Sequence, residues 1–506
     1  MRYLLGVDIG TTGARAVLVD EEGRLVAGAV SEYPMFVPKP GWTEQEPEDW
    51  WRATKEVVGR ALREAKISGR EVTAVGFTGQ MHGLVTLDEG GRVLRRCIMW
   101  NDQRTARQCE EIEGIVGRDR LVELTCNPVL TGFTAPKLLW VKENEPEVFE
   151  RIAHILLPKD YVRFRLTGEY VMDVADASGT SMFDVKRREW AWEIIDALGF
   201  DRRWFPPTAE SPEVVARVSK VGAEETGLVE GTPVVAGAGD QAAGGVGAGA
   251  VEEGIVSVNL GTSGVVFAHL EEPRVDPGLR THTFCHAVPG KWHVMGVMLA
   301  AGGSLRWFRD ALCGEERLVA EHTGKDPYEF ITEEAALVPA GSEGLLFLPY
   351  LSGERTPHAD PFARGVFFGL SLKHTKAHMA RAVLEGVAFG LRDSLEILKS
   401  MGLSFKEIRF TGGGSRSDLW RQILADIFNF PVTRINIEEG TAFGAALLAG
   451  VGAGIFGSVE EACRTAVKGV ATSEPNHERA KIYEELYRLY GRLYESLKER
   501  FREIPA

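Results

Sequence analysis

The chain has 506 residues, 44% of them hydrophobic, and its 58 basic and 72 acidic side chains leave a net charge of −14. That length calls for two or more domains, and that apolar content fills large cores. The acidic balance, with no basic run, argues against nucleic acid as a main partner, and no apolar run approaches the ~18 residues of a membrane span.

The chain opens on a strand, 3–9, with no secretory-leader pattern, which points to the cytoplasm. A second strand is predicted at 14–20 and a third near 24–33. Between the first two stands Gly10-Thr11-Thr12-Gly13, so the unit reads strand, tight turn, strand. Its glycines let backbone N–H groups approach an anion, and the Thr11 and Thr12 hydroxyls add donors. Glu46-Pro47-Glu48-Asp49 starts a helix, with Pro in the first turn and acids at the positive end. Trp50, Trp51, Val57, Val58, Ala61, Leu62 and Ala65 give that helix an apolar stripe. A strand over 72–78 ends in Gly79-Gln80-Met81-His82-Gly83. Residues 136–153 and 189–199 read as helices, with a polar loop at 173–179 between them. None of the six cysteines forms a Cys-x-x-Cys pair, which fits reduced thiols in a cytoplasmic protein.

The second half repeats the plan. A short buried strand at 233–237 runs into Gly239-Asp240-Gln241, and the Gly/Ala stretch 237–254 reads as a tightly packed strand-to-helix passage. Strands follow at 254–260 and 264–270, joined by Gly261-Thr262-Ser263-Gly264. This is the opening hairpin again, with Asn259 where the first copy has Asp8. Two such hairpins facing each other would grip a polyphosphate from both sides, and only one side would offer a carboxylate to a metal. A strand near 292–297, helices at 304–312, 375–400 and 417–428, and a strand at 407–411 leading into Gly412-Gly413-Gly414 complete the pattern. The tail from Pro475 is amphipathic: Ile482, Leu486, Leu489, Leu493 and Leu497 form one stripe with Tyr483, Tyr487, Tyr490 and Tyr494 beside it. It closes onto its own domain or forms a homodimer seam.

The chain has no P-loop motif, no dinucleotide fingerprint after the first strand, no His-Glu-x-x-His and no Gly-x-Ser-x-Gly. Asp8, at the end of a buried strand before a phosphate turn, is placed to hold Mg²⁺ or to cap its own turn. Asp240, in a Gly-rich turn, is placed to accept a hydroxyl proton during phosphoryl transfer, or to cap the next helix. Gln80, Met81 and His82 suit a small polyol, and Trp100 with its polar neighbours 101–104 either lines the same pocket or makes a surface turn. Gly412–Gly414 would let a nucleoside lie against bare backbone. The polar loop at 352–357 is expected near the cleft.

Together these pieces resemble the FGGY family of carbohydrate kinases, within the actin-like ATPase superfamily, from about residue 3 to about residue 450. Two family signatures are visible, Phe133-Thr134-Ala135-Pro136-Lys137-Leu138-Leu139-Trp140 and the run from Gly365 to Gly386. Gly79–Gly83, Trp100-Asn101-Asp102, 157–161 and 352–357 are most similar to the members that act on D-xylulose. The resemblance implies an α/β chain of two actin-like (ribonuclease H-like) domains with a deep interdomain cleft, divided as 1–247 on the sugar side, 248–470 on the nucleotide side and a terminal helix over 471–506. It implies ATP and Mg²⁺ as cofactors, with Asp240 as base and Asp8 and Asp240 at the metal. Gln80, Met81, His82, Trp100, Asp240 and Gln241 would face the sugar. Thr11, Thr12, Gly261, Thr262 and Ser263 would hold phosphates, and Gly413 and Gly414 the adenosine. Gln241 stands where many xylulose-acting members carry Asn and glycerol-type members carry Gln; either amide bonds a sugar hydroxyl. Kinases of ribulose, gluconate, glycerol or a deoxy-ketose share these loops, and an actin-like ATPase without a sugar substrate would share the hairpins but have no use for Asp240 beside a polyol pocket.

Overall fold

A computed structural model describes residues 2–438 and 440–504. The first half builds a seven-stranded sheet from β1 (Tyr3–Ile9), β2 (Gly13–Asp20) and β3 (Leu25–Glu32), then β4 (Val72–Gly79), β5 (Val214–Arg217), β6 (Pro233–Val235) and β7 (Ala238–Gly239). Strand order is β5-β6-β4-β1-β2-β3, with β7 also paired to β4. β1 to β3 form an antiparallel meander, β4 joins β1 in parallel, and β6 joins β4 in parallel. The helix α1 (Pro47–Ala65) covers one face with Trp50, Trp51, Val57, Val58, Ala61 and Leu62 buried, as its stripe requires. Next come α2 (Thr134–Asn144), α3 (Pro158–Thr167), α4 (Val174–Ser178) and α5 (Asp240–Gly247).

The second half repeats this topology. Its sheet is built from β8 (Ile255–Leu260), β9 (Gly264–Leu270), β10 (His282–Cys285), β11 (Trp292–Met298), β12 (Glu407–Thr411), β13 (Val432–Ile435) and β14 (Gly469–Ser473), in the order β10-β11-β9-β8-β12-β13-β14. Again an antiparallel meander is followed by two parallel strands and an antiparallel edge. Its helices include α6 (Gly302–Leu312), α7 (Lys376–Ser400) and α8 (Asp418–Phe428); α9 (Gly440–Gly452) and α10 (His477–Phe501) close the chain. Among the described residues, no helix is long and apolar enough to cross a membrane, and all six cysteines are free.

The two halves meet where α9 crosses to pack on β1, β4 and α5. The contact is backbone on backbone. A Cβ added at Gly444 would stand 2.0 Å from the Ala243 carbonyl oxygen, and one at Gly6 would stand 1.9 Å from that of Ala442. Within 237–254, a Cβ added at Gly247 would stand 1.9 Å from the Gly440 carbonyl oxygen, so small residues on both α5 and α9 let the helices touch, and the stretch is no linker.

Four local expectations need correction. The helix predicted over 136–153 stops at Asn144, and Pro146 starts a separate turn over Pro146–Phe149. The segment 189–199 is a two-residue strand, Glu189–Trp190, and then a helix, Trp192–Ala197. The polar loop at 173–179 contains α4, because the Asp173 carboxylate caps the N–H groups of Ala175 and Asp176 at 2.9 and 3.1 Å. In α10 the buried face is tyrosine-rich: Tyr483, Tyr490, Leu493, Tyr494 and Phe501 are buried, while Ile482 is 44% exposed. The phenols turn inward because buried partners await them, Glu385 at 2.6 Å from Tyr483 and Asp360 at 3.0 Å from Tyr494. The helix thus packs on its own chain.

Candidate active site

The two hairpins are in register as read, with Ile9 opposite Ala14 and Leu260 opposite Gly264. The Gly10 and Gly261 N–H groups close the turns onto Gly13 and Ser263 at 3.1 and 3.0 Å. Arg15 from the first hairpin and Asn259 from the second line one cavity of about 180 Å³, together with Asp240, Gln241, Gly412 and Thr441.

Asp8 stands near the end of β1, and Asp240 is the first residue of α5. Burial and the charge of Asp8 push the Asp240 carboxyl up to about 7, against hydrogen bonds from Gln241 that pull it down. A carboxyl that titrates near neutrality in a cleft is suited to take a proton from an alcohol. The Thr441 hydroxyl donates to Asp8 Oδ2 at 2.6 Å, so the first turn of α9 fixes Asp8, and the Gly/Ala contact between α9 and α5 fixes its distance from Asp240.

The phosphate-loop candidates stand at the turns that join β1 to β2 and β8 to β9. Thr12 and residues 261–263 are exposed. The Thr11 hydroxyl accepts from Trp100 Nε1 at 3.0 Å, and its carbonyl accepts from Gln45 Nε2 at 2.7 Å. The Gly261 and Thr262 carbonyls accept N–H groups from Gly302 and Ala301, at 2.9 and 3.0 Å, so the start of α6 braces the second turn. Gly412, with φ of 80°, lies against that hairpin; a Cβ there would be 2.5 Å from Asn259 Oδ1. Gly414 packs on Leu260, whereas Gly413 has no atom within 4 Å of an added Cβ and is open to a ligand.

Gln80, Met81 and His82 leave β4 beside the first hairpin, with Gln80 N–H donating to the Ile9 carbonyl at 2.9 Å. The Gln80 side chain is 1% exposed, and its Nε2 donates to Gln45 Oε1 at 2.9 Å. It is wired to the first hairpin through Gln45, a link the sequence reading missed. Met81 abuts the residue before Asp240, since a Cβ on Gly239 would stand 2.8 Å from Met81 Cγ. The His82 ring stacks on Phe133 at 4.4 Å and bonds through Nδ1 to the Gly179 carbonyl at 2.6 Å. Burial pushes its pKa down to about 3, so the ring is neutral. Burial lowers the pKa of both His82 and His282, and the Arg355 charge adds to that effect.

Sequence reasoning also missed a fully buried charged cluster. Lys159 Nζ lies 2.5 Å from carboxylate oxygens of Asp160 and Asp173 and 2.9 Å from Asp176. The three carboxylates converge as metal ligands do, but the lysine ammonium already occupies the centre. Asp176 Oδ1 would be 2.9 Å from a Cβ on Gly239, and Arg163 donates to the Ala236 carbonyl. The cluster thus underpins the strand that delivers Asp240. Its signals in the sequence were the Lys159-Asp160 pair within 157–161 and the acids of the 173–179 segment, far apart along the chain.

Comparison with known proteins shows the family of the chain. The N-terminal domain of the FGGY family of carbohydrate kinases matches residues 3–247, and its C-terminal domain matches 256–453. The xylulose kinase of Bacillus subtilis (strain 168) is 39% identical over 499 residues, covering 99% of this chain and 98% of its own. The gluconokinase of the same organism is 31% identical over 504 residues, covering 99% of this chain and 97% of its own. The crystal structure of a xyloylose kinase from Brucella ovis superposes with a TM-score of 0.88 at 39% identity, over 98% of this chain and 100% of that one. This chain belongs to the FGGY family of carbohydrate kinases, and it is a sugar kinase of two actin-like α/β halves.

Proposed function

We propose that the enzyme transfers the γ-phosphoryl group of ATP to a ketopentose, converting D-xylulose to D-xylulose 5-phosphate. The observation that carries this reading is the placement of Asp240. It shares a cavity with both hairpins, and Met81 of the polyol cluster packs against the residue before it. The terminal hydroxyl gives its proton to Asp240 as its oxygen bonds to the γ-phosphorus, and ADP departs with the electrons of the broken bond. His82 and Gln241 orient the sugar; Thr11, Thr12 and the 261–263 turn hold phosphates; Gly413 and Gly414 take the adenosine. Closure of the cleft would exclude the water that competes for the phosphoryl group.

Asp8 and Asp240 fit a Mg²⁺ ion. Both offer hard oxygen donors, and their mutual repulsion, which raises Asp240, is what a divalent cation relieves. When bound, that ion neutralises phosphate charge. We assign residues 1–247 to the sugar side, 248–470 to the nucleotide side, and 471–506 to a terminal closing segment. Six free cysteines suit work in the cytoplasm.

The test is ADP release measured with D-xylulose, D-ribulose, gluconate and glycerol. Large stimulation by D-xylulose alone is expected. Selective stimulation by gluconate would reassign the acceptor, and constant slow hydrolysis with every sugar would refute kinase action on these acceptors.

A further inference from the structure

His82 leaves β4 with φ of 69°, in the left-handed region that non-glycine residues rarely adopt. Something must hold it there, and the first signature segment does so. The His82 carbonyl accepts two hydrogen bonds, from Lys137 Nζ at 2.8 Å and from the Thr134 hydroxyl at 3.1 Å. Phe133 stacks on the imidazole with an interplanar angle of 23°. All three residues belong to the entry and first turns of α2.

Lys137 is itself unusual. It is 0% exposed, and its other bond is to the Gly132 carbonyl at 2.7 Å. Among the described residues it has no carboxylate within ion-pair distance, so two backbone oxygens are what hold the ammonium. Burial lowers its pKa to about 7. A cation this costly to bury marks a position under a specific demand.

The demand can be read from the ring. A carbonyl only accepts, so the bond to Gly179 requires the hydrogen on Nδ1. Nε2 of the neutral ring is then an acceptor, and its partner has to be a donor such as a sugar hydroxyl. The geometry points to Lys137 as a positioning residue: its ammonium pins the His82 backbone so that the imidazole offers Nε2 as an acceptor to a hydroxyl of the sugar. This rests on the sugar-pocket reading proposed above.

The test measures D-xylulose affinity by calorimetry, and KM and kcat by coupled assay, on the full chain. The variants are Lys137→Met, Lys137→Arg, His82→Ala and the double variant His82→Ala/Lys137→Met. Lys137→Met should weaken sugar binding and raise KM by about tenfold, the loss of one hydrogen bond from a charged donor, with kcat changed much less. Lys137→Arg should recover part of the affinity. If Lys137 acts through His82, the double variant binds no more weakly than His82→Ala alone. Penalties that multiply, or a Lys137→Met enzyme with normal affinity, would overturn the assignment. Should Lys137→Met fail to fold, Thr134→Val removes the second donor to the same carbonyl. It should raise KM several-fold, and an unchanged KM would overturn the assignment as well. A wild-type enzyme that binds no ketose overturns the pocket reading together with this one, whereas normal wild-type binding with multiplying penalties overturns this one alone.

Discussion

Replacing Gly444 by alanine tests whether the contact between α5 and α9 sets the catalytic geometry. The added methyl carbon would stand 2.0 Å from the Ala243 carbonyl oxygen and 3.0 Å from the Gly247 nitrogen. Both obstacles are backbone, so no side chain can swing away. Restoring a 3.0 Å contact to the carbonyl requires the helices to part by about 1 Å, near the scale at which misplacement costs ~100-fold in rate. Overpacking of this kind costs about 1–3 kcal/mol, partly offset by the roughly 1 kcal/mol that alanine gains over glycine inside a helix. α5 carries Asp240 and α9 carries Thr441, which holds Asp8. The expected result is therefore a folded enzyme with a modestly lowered Tm and kcat reduced about 100-fold. The control is Gly491→Ala on α10, where an added Cβ meets nothing within 4 Å, and where Tm should hold or rise. Steady-state kinetics and thermal unfolding of both variants decide the matter. A Gly444→Ala enzyme with wild-type kcat and Tm would refute the reasoning.

Three further outcomes follow from the same geometry. Asp240→Asn should lower kcat by ~10²–10⁴-fold while calorimetry still detects sugar binding; near-normal turnover would remove Asp240 from the chemistry. A base at Asp240, as proposed, must be ionised to act, and with its pKa raised to about 7 kcat/KM should fall tenfold per unit below that value. Asp8→Asn, by removing the like charge, should shift this limb to lower pH in any residual activity; an unmoved limb would contradict the coupling. His82 and His293 are held neutral, with folded pKa values near 3. Their folded values lie below the unfolded value, so the unfolded chain binds more protons, and stability is lost as pH falls from about 6.5 toward 3, by ~1.4 kcal/mol per unit for each ring. His293→Phe keeps a ring against Phe267 and should remove about one proton from the slope of stability against pH; an unchanged slope would show that His293 titrates normally.

The hairpins were legible because their cause is local: apolar runs on either side of a Gly-hydroxyl-hydroxyl-Gly turn specify strand, bend and strand without help from the rest of the chain. The stripe of α1 was legible for the same reason. What stayed hidden depends on distant partners. Tyr483 and Tyr494 look less apolar than Ile482, yet they face inward because Glu385 and Asp360 are there to receive their hydroxyls. The 173–179 segment looked like a loop because its residues are polar, but Asp173 caps a helix and Lys159 pairs with Asp160, Asp173 and Asp176 beneath it. Gln45 and Thr441 lie far in sequence from the loops they brace, and nothing in their own neighbourhoods marks them.

The central claim is that Asp240 takes the proton from the sugar hydroxyl that is phosphorylated. A crystal structure of the enzyme with D-xylulose and a non-hydrolysable ATP analogue tests it most directly. The account predicts the Asp240 carboxylate within about 2.6–3.2 Å of the terminal hydroxyl, with the γ-phosphate on the opposite side of that oxygen. A terminal hydroxyl bound away from Asp240, with another side chain at hydrogen-bond distance in its place, would contradict it.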